Sequence, residues 1–191
     1  MIYLDSSALV KLALAEPETA ALARWLAERA DQPLISSALF RAEVPRAVWR
    51  AEPGALPRSY RVLKRIARVA LTPDVLDNSA TLPPQNLSAA QAIHLASALA
   101  VKRDLTAFVA YDERLLAAAK DAGLPVAAPG SRLAARARRG AGGTRRARSE
   151  KKELSVQPMG GLHRLLRAQD SKRVLRAAVA RTPRGRARVR P

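Results

Sequence analysis

At 191 residues the chain is long enough for one domain with a sizeable core. It contains no cysteine, which excludes disulfides and thiolate metal sites and agrees with a reducing, cytoplasmic setting. The formal net charge of +18 is uneven: residues 1–130 hold 15 Lys/Arg and 13 Asp/Glu, a net of +2, whereas residues 131–191 hold 19 and 3, a net of +16.

In chain order, the apolar run 2–5 reads as a buried strand that ends at once in an acid, Asp5. Residues 7–14 and 18–30 have helical spacing, with a break at Glu16-Pro17 and with Leu22, Trp25 and Leu26 on one face. A second short strand, 33–37, ends in two serines. The segment 38–51 reads as a helix, kinked at Pro45, which lacks a backbone donor. Pro53-Gly54 stops it, and an amphipathic helix follows over 56–68. Residues 68–74 give a third strand, then a helix near 74–81. Ser88 is a good N-cap for a helix over 89–103. The run 106–112 is a fourth strand that again finishes in an aspartate, Asp112. A helix over 113–123 closes on Gly123, and 124–130 is an edge-like fifth strand beginning near Pro125.

Strands alternating with helices imply an α/β fold: a parallel sheet covered on both faces, with right-handed crossovers. Such sheets keep their ligands beyond the carboxyl ends of the strands. Asp5 and Asp112 both fall there. The tail is of another kind. Residues 132–152 are rich in Arg, Gly and Ala, residues 161–180 have the spacing of a short basic amphipathic helix, and 181–191 have a disordered composition. The tail has three open readings: non-specific RNA binding through its arginines, an extension without function, or a shifted reading frame in GC-rich DNA. The N-terminus lacks a basic segment before its apolar run and makes a poor secretory signal. No apolar run approaches the roughly 18 residues of a membrane span.

Few residue types remain for chemistry. There is no Gly-rich phosphate loop, and two histidines, His94 and His163, are too few for an ordinary zinc site. Ser6 and Ser7 show no evident His–acid pair to activate them. Asp5, Glu43 and Asp112 stand out as acids beside apolar strands or on a buried-looking helix. Converging carboxylates repel one another, and a hard cation such as Mg²⁺ or Mn²⁺ relieves that repulsion with oxygen ligands. A cation so held polarises phosphoryl oxygens and acidifies water, which suits phosphodiester hydrolysis. Ser6 could orient Asp5 or a water through its hydroxyl.

Each of these residues also has a plainer reading. Asp5 and Asp112 are good N-caps for the helices after them. Glu43 could pair with Arg46 or Arg50 at helical spacing. His94 reads first as a packed or hydrogen-bonded histidine, and Trp25 and Trp49 as core or partner-interface residues. Arg41, Arg46, Arg50, Arg58 and Arg61 form either a basic rim for RNA phosphates or a solvated helix face.

The segments "YLDSSALVKL", "SSALFRAEV", "LSAAQAIHLASAL" and "FVAYDERLLAAAKDAGLPV" lie in this order over residues 1–130. In order and spacing the chain resembles the PIN-domain family, and within it the VapC-type toxins of toxin–antitoxin pairs. The resemblance implies a three-layer α/β/α sandwich around about five strands. It also implies an Mg²⁺- or Mn²⁺-dependent endoribonuclease, a homodimer, and a cognate VapB-like antitoxin as inhibitor. By the same resemblance Asp5, Glu43 and Asp112 are the metal-site acids. Two departures stand out. Where the family has an aspartate opening the "DAIHLA" helix, this chain has Gln91, which offers a weak neutral ligand in place of a charge. Ala110 stands two residues before Asp112, where relatives commonly carry a hydroxyl. Both departures raise a second reading, a catalytically inactive module that binds an antitoxin or RNA. A haloacid-dehalogenase type of phosphohydrolase would need an aspartate at position 7, which is Ser7.

Overall fold

The computed structural model describes residues 1–131. The expectations for the tail lie outside the described residues, apart from Ser131. The fold is the expected α/β sandwich: five parallel strands in the order β3-β2-β1-β4-β5 with helices on both faces. The strands are β1 (Ile2–Leu4), β2 (Leu34–Ser37), β3 (Ala67–Val69), β4 (Ala107–Val109) and β5 (Val126–Ala127). The helices are α1 (Ser6–Ala13), α2 (Thr19–Ala27), α3 (Phe40–Ala51), α4 (Leu56–Leu63), α5 (Pro73–Thr81), α6 (Ala89–Leu99) and α7 (Glu113–Asp121).

Elements fall where the periodicity places them, and several ends move inward. The helix expected to reach residue 103 stops at Leu99, and Lys102–Asp104 forms a separate 3-10 turn. The third strand keeps only three residues before Thr72 caps α5 through its hydroxyl. α3 continues past Pro45 to Ala51, with Pro45 buried in its interior. Gly123 sits at φ +74, the left-handed conformation that glycine accepts without a Cβ clash, so α7 ends there as expected.

Alternation along β1 divides the core. Ile2 and Leu4 face one layer, where they pack with Leu9 and Leu12 of α1, Leu22 of α2 and Phe40, Val44 and Val48 of α3. Tyr3 faces the other layer with Phe108, Leu95 of α6 and Leu115 of α7. Each fully buried Leu or Phe contributes roughly 1.5–3 kcal/mol, so the two layers hold the short sheet from both sides.

The strand order decides where a ligand can sit. From β1 the chain winds outward through β2 and β3, then crosses back to β4 on the other side of β1. The reversal lies between β1 and β4, whose registers pair Ile2 with Ala107 and Leu4 with Val109. A crevice forms at such a switch point, beyond the carboxyl ends of the two strands. The Asp5 backbone N–H donates to the Val109 carbonyl at 2.9 Å and holds these two ends together.

Candidate functional site

Asp5 directly follows β1 and caps α1. Its Oδ2 accepts the Ser7 backbone N–H at 3.0 Å and the Ser7 hydroxyl at 2.6 Å. Asp112 follows β4 and caps α7, with Oδ1 accepting the Leu115 N–H at 2.9 Å. The plain capping reading therefore describes both strand-end aspartates. Each cap engages one oxygen, so capping leaves Oδ1 of Asp5 and Oδ2 of Asp112 for another role. Ser7 joins the two loops, because its hydroxyl also accepts the Tyr111 N–H at 3.0 Å.

Glu43 lies in the first turn of α3 and reaches across to α1 and α6. Its Oε2 accepts the Ser6 hydroxyl at 2.5 Å and lies 2.8 Å from His94 Nε2. Burial alone would raise the Glu43 pKa; the hydrogen bonds from His94 and Ser6 outweigh it and hold the carboxyl below its ordinary value. Among the described residues Glu43 forms no ion pair with Arg46 or Arg50; its partner is His94. His94 is 1% exposed and presents its other ring nitrogen to the Tyr3 hydroxyl at 2.9 Å, with Asp5 Oδ1 at 3.6 Å. Asp5 and Glu43 thus flank one imidazole.

This arrangement corrects one expectation. A His–acid pair does stand beside Ser6, whose Oγ is 3.2 Å from His94 Nε2. The geometry is nevertheless not that of an activated nucleophile. The Ser6 hydroxyl hydrogen goes to Glu43 at the shorter distance, and Tyr3 occupies the far nitrogen where a triad acid would sit. Ser6 orients Glu43, whereas Ser7 is the serine that holds Asp5.

Gln91 stands at the third position of α6 and completes a capping box. Its Oε1 accepts the Ser88 N–H at 2.8 Å, and the Ser88 hydroxyl accepts the Gln91 N–H. The carbonyl oxygen that could serve as a ligand is therefore engaged in the cap. Ala110 is fully buried. Arg46 and Arg50 share the Glu43 face of α3 at spacings of three and seven residues, and both are exposed. Arg41 is exposed two residues before Glu43, off that face. Trp49, at 60% exposure, is no core residue, whereas Trp25 packs at the core edge under Arg29.

Hard oxygen donors of this type suit Mg²⁺ or Mn²⁺ in chemistry and charge. Among the described residues, no three His, Cys, Asp or Glu side chains form a group that could hold a metal ion. Asp5, Glu43 and Asp112 do not form such a group here. Sequence reasoning missed Tyr3, Ser7 and the extent of His94's role. The available signal was a tyrosine inside a buried strand, since a buried phenol requires a hydrogen-bond partner.

A doubly wound parallel sheet with carboxylates at its switch point defines the class. The sequence pattern described as PIN domain matches residues 2–121. The chain is 42% identical over 134 residues to ribonuclease VapC47 of Mycobacterium tuberculosis (strain CDC 1551 / Oshkosh), covering 69% of this chain and 98% of that protein. It is 44% identical over 128 residues to ribonuclease VapC46 of strain H37Rv, covering 67% and 97%. The crystal structure of Mycobacterium tuberculosis VapC20, a sarcin-ricin loop cleaving toxin, matches with a TM-score of 0.54 at 16% identity. That match spans 68% of this chain and all of the other, and it bears on the fold alone. The chain belongs to the PIN-domain family and, within it, to the VapC type. Among the described residues no helix is long and apolar enough to cross a membrane.

Proposed function

We propose that the protein is an endoribonuclease toxin that hydrolyses RNA phosphodiesters with Mg²⁺ or Mn²⁺, with Asp5, Glu43 and Asp112 as the metal-site acids. The observation that carries this reading is the placement of Asp5 and Asp112 at the carboxyl ends of adjacent strands, with Glu43 brought alongside Asp5 through His94. The ribonuclease names of the close relatives support it. When bound, the cation supplies Lewis-acid polarisation of a phosphoryl oxygen and an acidified water. The chain's own residues supply anchoring and charge. Ser7 holds Asp5, Ser6 and His94 hold Glu43, and the α7 cap holds Asp112. Arg46 and Arg50 would bind RNA phosphates next to Glu43. A VapB-like antitoxin that covers the crevice and a second copy of the chain as dimer partner complete the proposal. The test is cleavage of structured RNA by purified protein with and without Mn²⁺, beside Asp5→Ala. Metal-independent cutting, or equal cutting by the variant, overturns it.

A second reading, an inactive module that binds an antitoxin or RNA, is favoured by Gln91. That side chain is neutral and its oxygen is already committed to the Ser88 N–H. The discriminating variant is Gln91→Asp. If it switches on Mn²⁺-dependent cleavage in an otherwise silent protein, the natural chain is impaired at this position. Efficient cutting by the unmodified protein removes the inactive reading.

A further inference from the structure

Tyr3 is wholly buried in the middle strand, yet it ends in a hydroxyl. The phenol stacks on Phe108 at 5.1 Å between ring centroids and meets the edge of the His94 ring. Its oxygen accepts the Ser37 backbone N–H from β2 at 3.0 Å and lies 2.9 Å from His94 Nδ1. The opposite ring nitrogen lies 2.8 Å from Glu43 Oε2.

An ionised Glu43 can only accept, so His94 Nε2 carries the hydrogen it donates. On the other side of the ring, Nδ1 has the Tyr3 hydroxyl as its hydrogen-bond partner at 2.9 Å, with Asp5 Oδ1 further off at 3.6 Å. Ser6 adds a second hydrogen to the same Glu43 oxygen.

We propose that Tyr3 and His94 are positioning residues for Glu43: a hydrogen-bonded relay from the β2 backbone through the phenol and the imidazole fixes the His94 ring and, through it, holds Glu43 Oε2 in place. The role assigned to Glu43 rests on the proposed metal-dependent reading, whereas the relay itself requires no metal. Both residues are buried, with no surface to offer a substrate. Both act through Glu43, as outer partners do when they orient the ligands of a metal site.

The test uses the full-length, ¹⁵N-labelled protein. In the unmodified chain the His94 nitrogen spectrum should show a protonated Nε2 bonded to Glu43, and Tyr3→Phe, which frees the far side of the ring, should weaken that bond and shift the Nε2 resonance. Mn²⁺ affinity, read from the free-ion signal in electron paramagnetic resonance, should fall about 10- to 100-fold in Tyr3→Phe. The RNA-cleavage kcat should fall with it, with KM for RNA unchanged. Because Tyr3→Phe also leaves the Ser37 N–H unpaired, a second pair of variants separates positioning from folding. His94→Gln can place an amide N–H near the Nε2 position and should retain most Mn²⁺ affinity, whereas His94→Asn reaches only the Nδ1 position and should not. An unchanged Nε2 resonance in Tyr3→Phe, or equal losses in the two His94 variants, overturns the relay. An unmodified protein that binds no Mn²⁺ overturns the metal-dependent reading alone, and the His94 spectrum still decides the relay.

Discussion

The Asp5 carboxylate and Ser7 form a closed local unit in which one carboxylate oxygen accepts both the backbone N–H and the hydroxyl of the same serine. The bonds orient Asp5 and cap α1 at once, so charge and cap can be separated by substitution. Asn caps as well as Asp, whereas Ala costs about 1 kcal/mol of stability. Asp5→Asn should therefore melt close to the unmodified protein, and Asp5→Ala should melt lower. Both should lose RNA cleavage by more than about 100-fold, since loss of an outer partner already costs 10- to 100-fold at a metal site. Thermal melts and cleavage assays on the two variants check this. Full activity in a stable Asp5→Asn variant would show that the carboxylate is only a cap.

Ser7 has a second task. Its hydroxyl accepts the Tyr111 N–H and links the loop after β1 to the loop after β4. Ser7→Ala removes that acceptor and one donor to Asp5 together. A part-buried N–H left without a partner costs about 1–3 kcal/mol. Urea unfolding should show a loss of that size with an unchanged m-value. Cleavage should fall further than stability explains, because Asp5 loses its shortest bond.

Much of this organisation was legible in the sequence because it follows from local rules. The alternation of short apolar runs with helical spacing identified the parallel sheet. Asp5 and Asp112 were placed correctly because each ends its strand within a few residues. His94, Tyr3 and Glu43 were harder. They meet only because β1 directs Tyr3 to one layer, α6 crosses that layer, and α3 approaches from the far side of the strand end. No local pattern encodes a contact between residues 43 and 94. Gln91 shows the opposite case. Its spacing of three residues from Ser88 is the capping-box pattern, so its bond to the Ser88 N–H follows from local sequence, although only Ser88 was read as a cap.

Lys11 gives the fold a pH signature away from the crevice. Its buried ammonium binds Glu16 at 2.5 Å and Glu18 at 2.7 Å and lies over the Tyr111 ring. Burial alone would lower the Lys11 pKa, but the bonds to the two glutamates raise it above its ordinary 10.5. The hydrogen bond from Lys11 chiefly holds Glu18 below its ordinary 4.5. A lowered carboxyl pKa stabilises the native state above the unfolded value, and that stability is lost as pH falls through the native pKa. A raised lysine pKa stabilises below the unfolded value and is lost as pH rises through the native one. The melting temperature should therefore decline below about pH 4.5 and again above about 10.5, on top of the general trend. In Glu18→Gln the acid-side decline should be shallower. An identical acid limb in that variant would show that the pair does not contribute.

The basic face of α3 makes a separate prediction about RNA. Arg46 and Arg50 are exposed and lie one and two turns along the helix from Glu43 on the same side. If they contact phosphates, each releases counterions from the strand on binding, and the logarithm of the binding constant falls with the logarithm of salt by about 0.7 per contact. In an Asp5→Asn background, where bound RNA should survive, Arg46→Ala and Arg50→Ala should each reduce the magnitude of that slope by about 0.7. Arg41→Ala, on a different side of the helix, should change it less. The +16 tail is present in every variant, so its contribution cancels in the comparison. Equal slopes for all the proteins would make this arginine face a solvated surface and move RNA binding elsewhere on the chain.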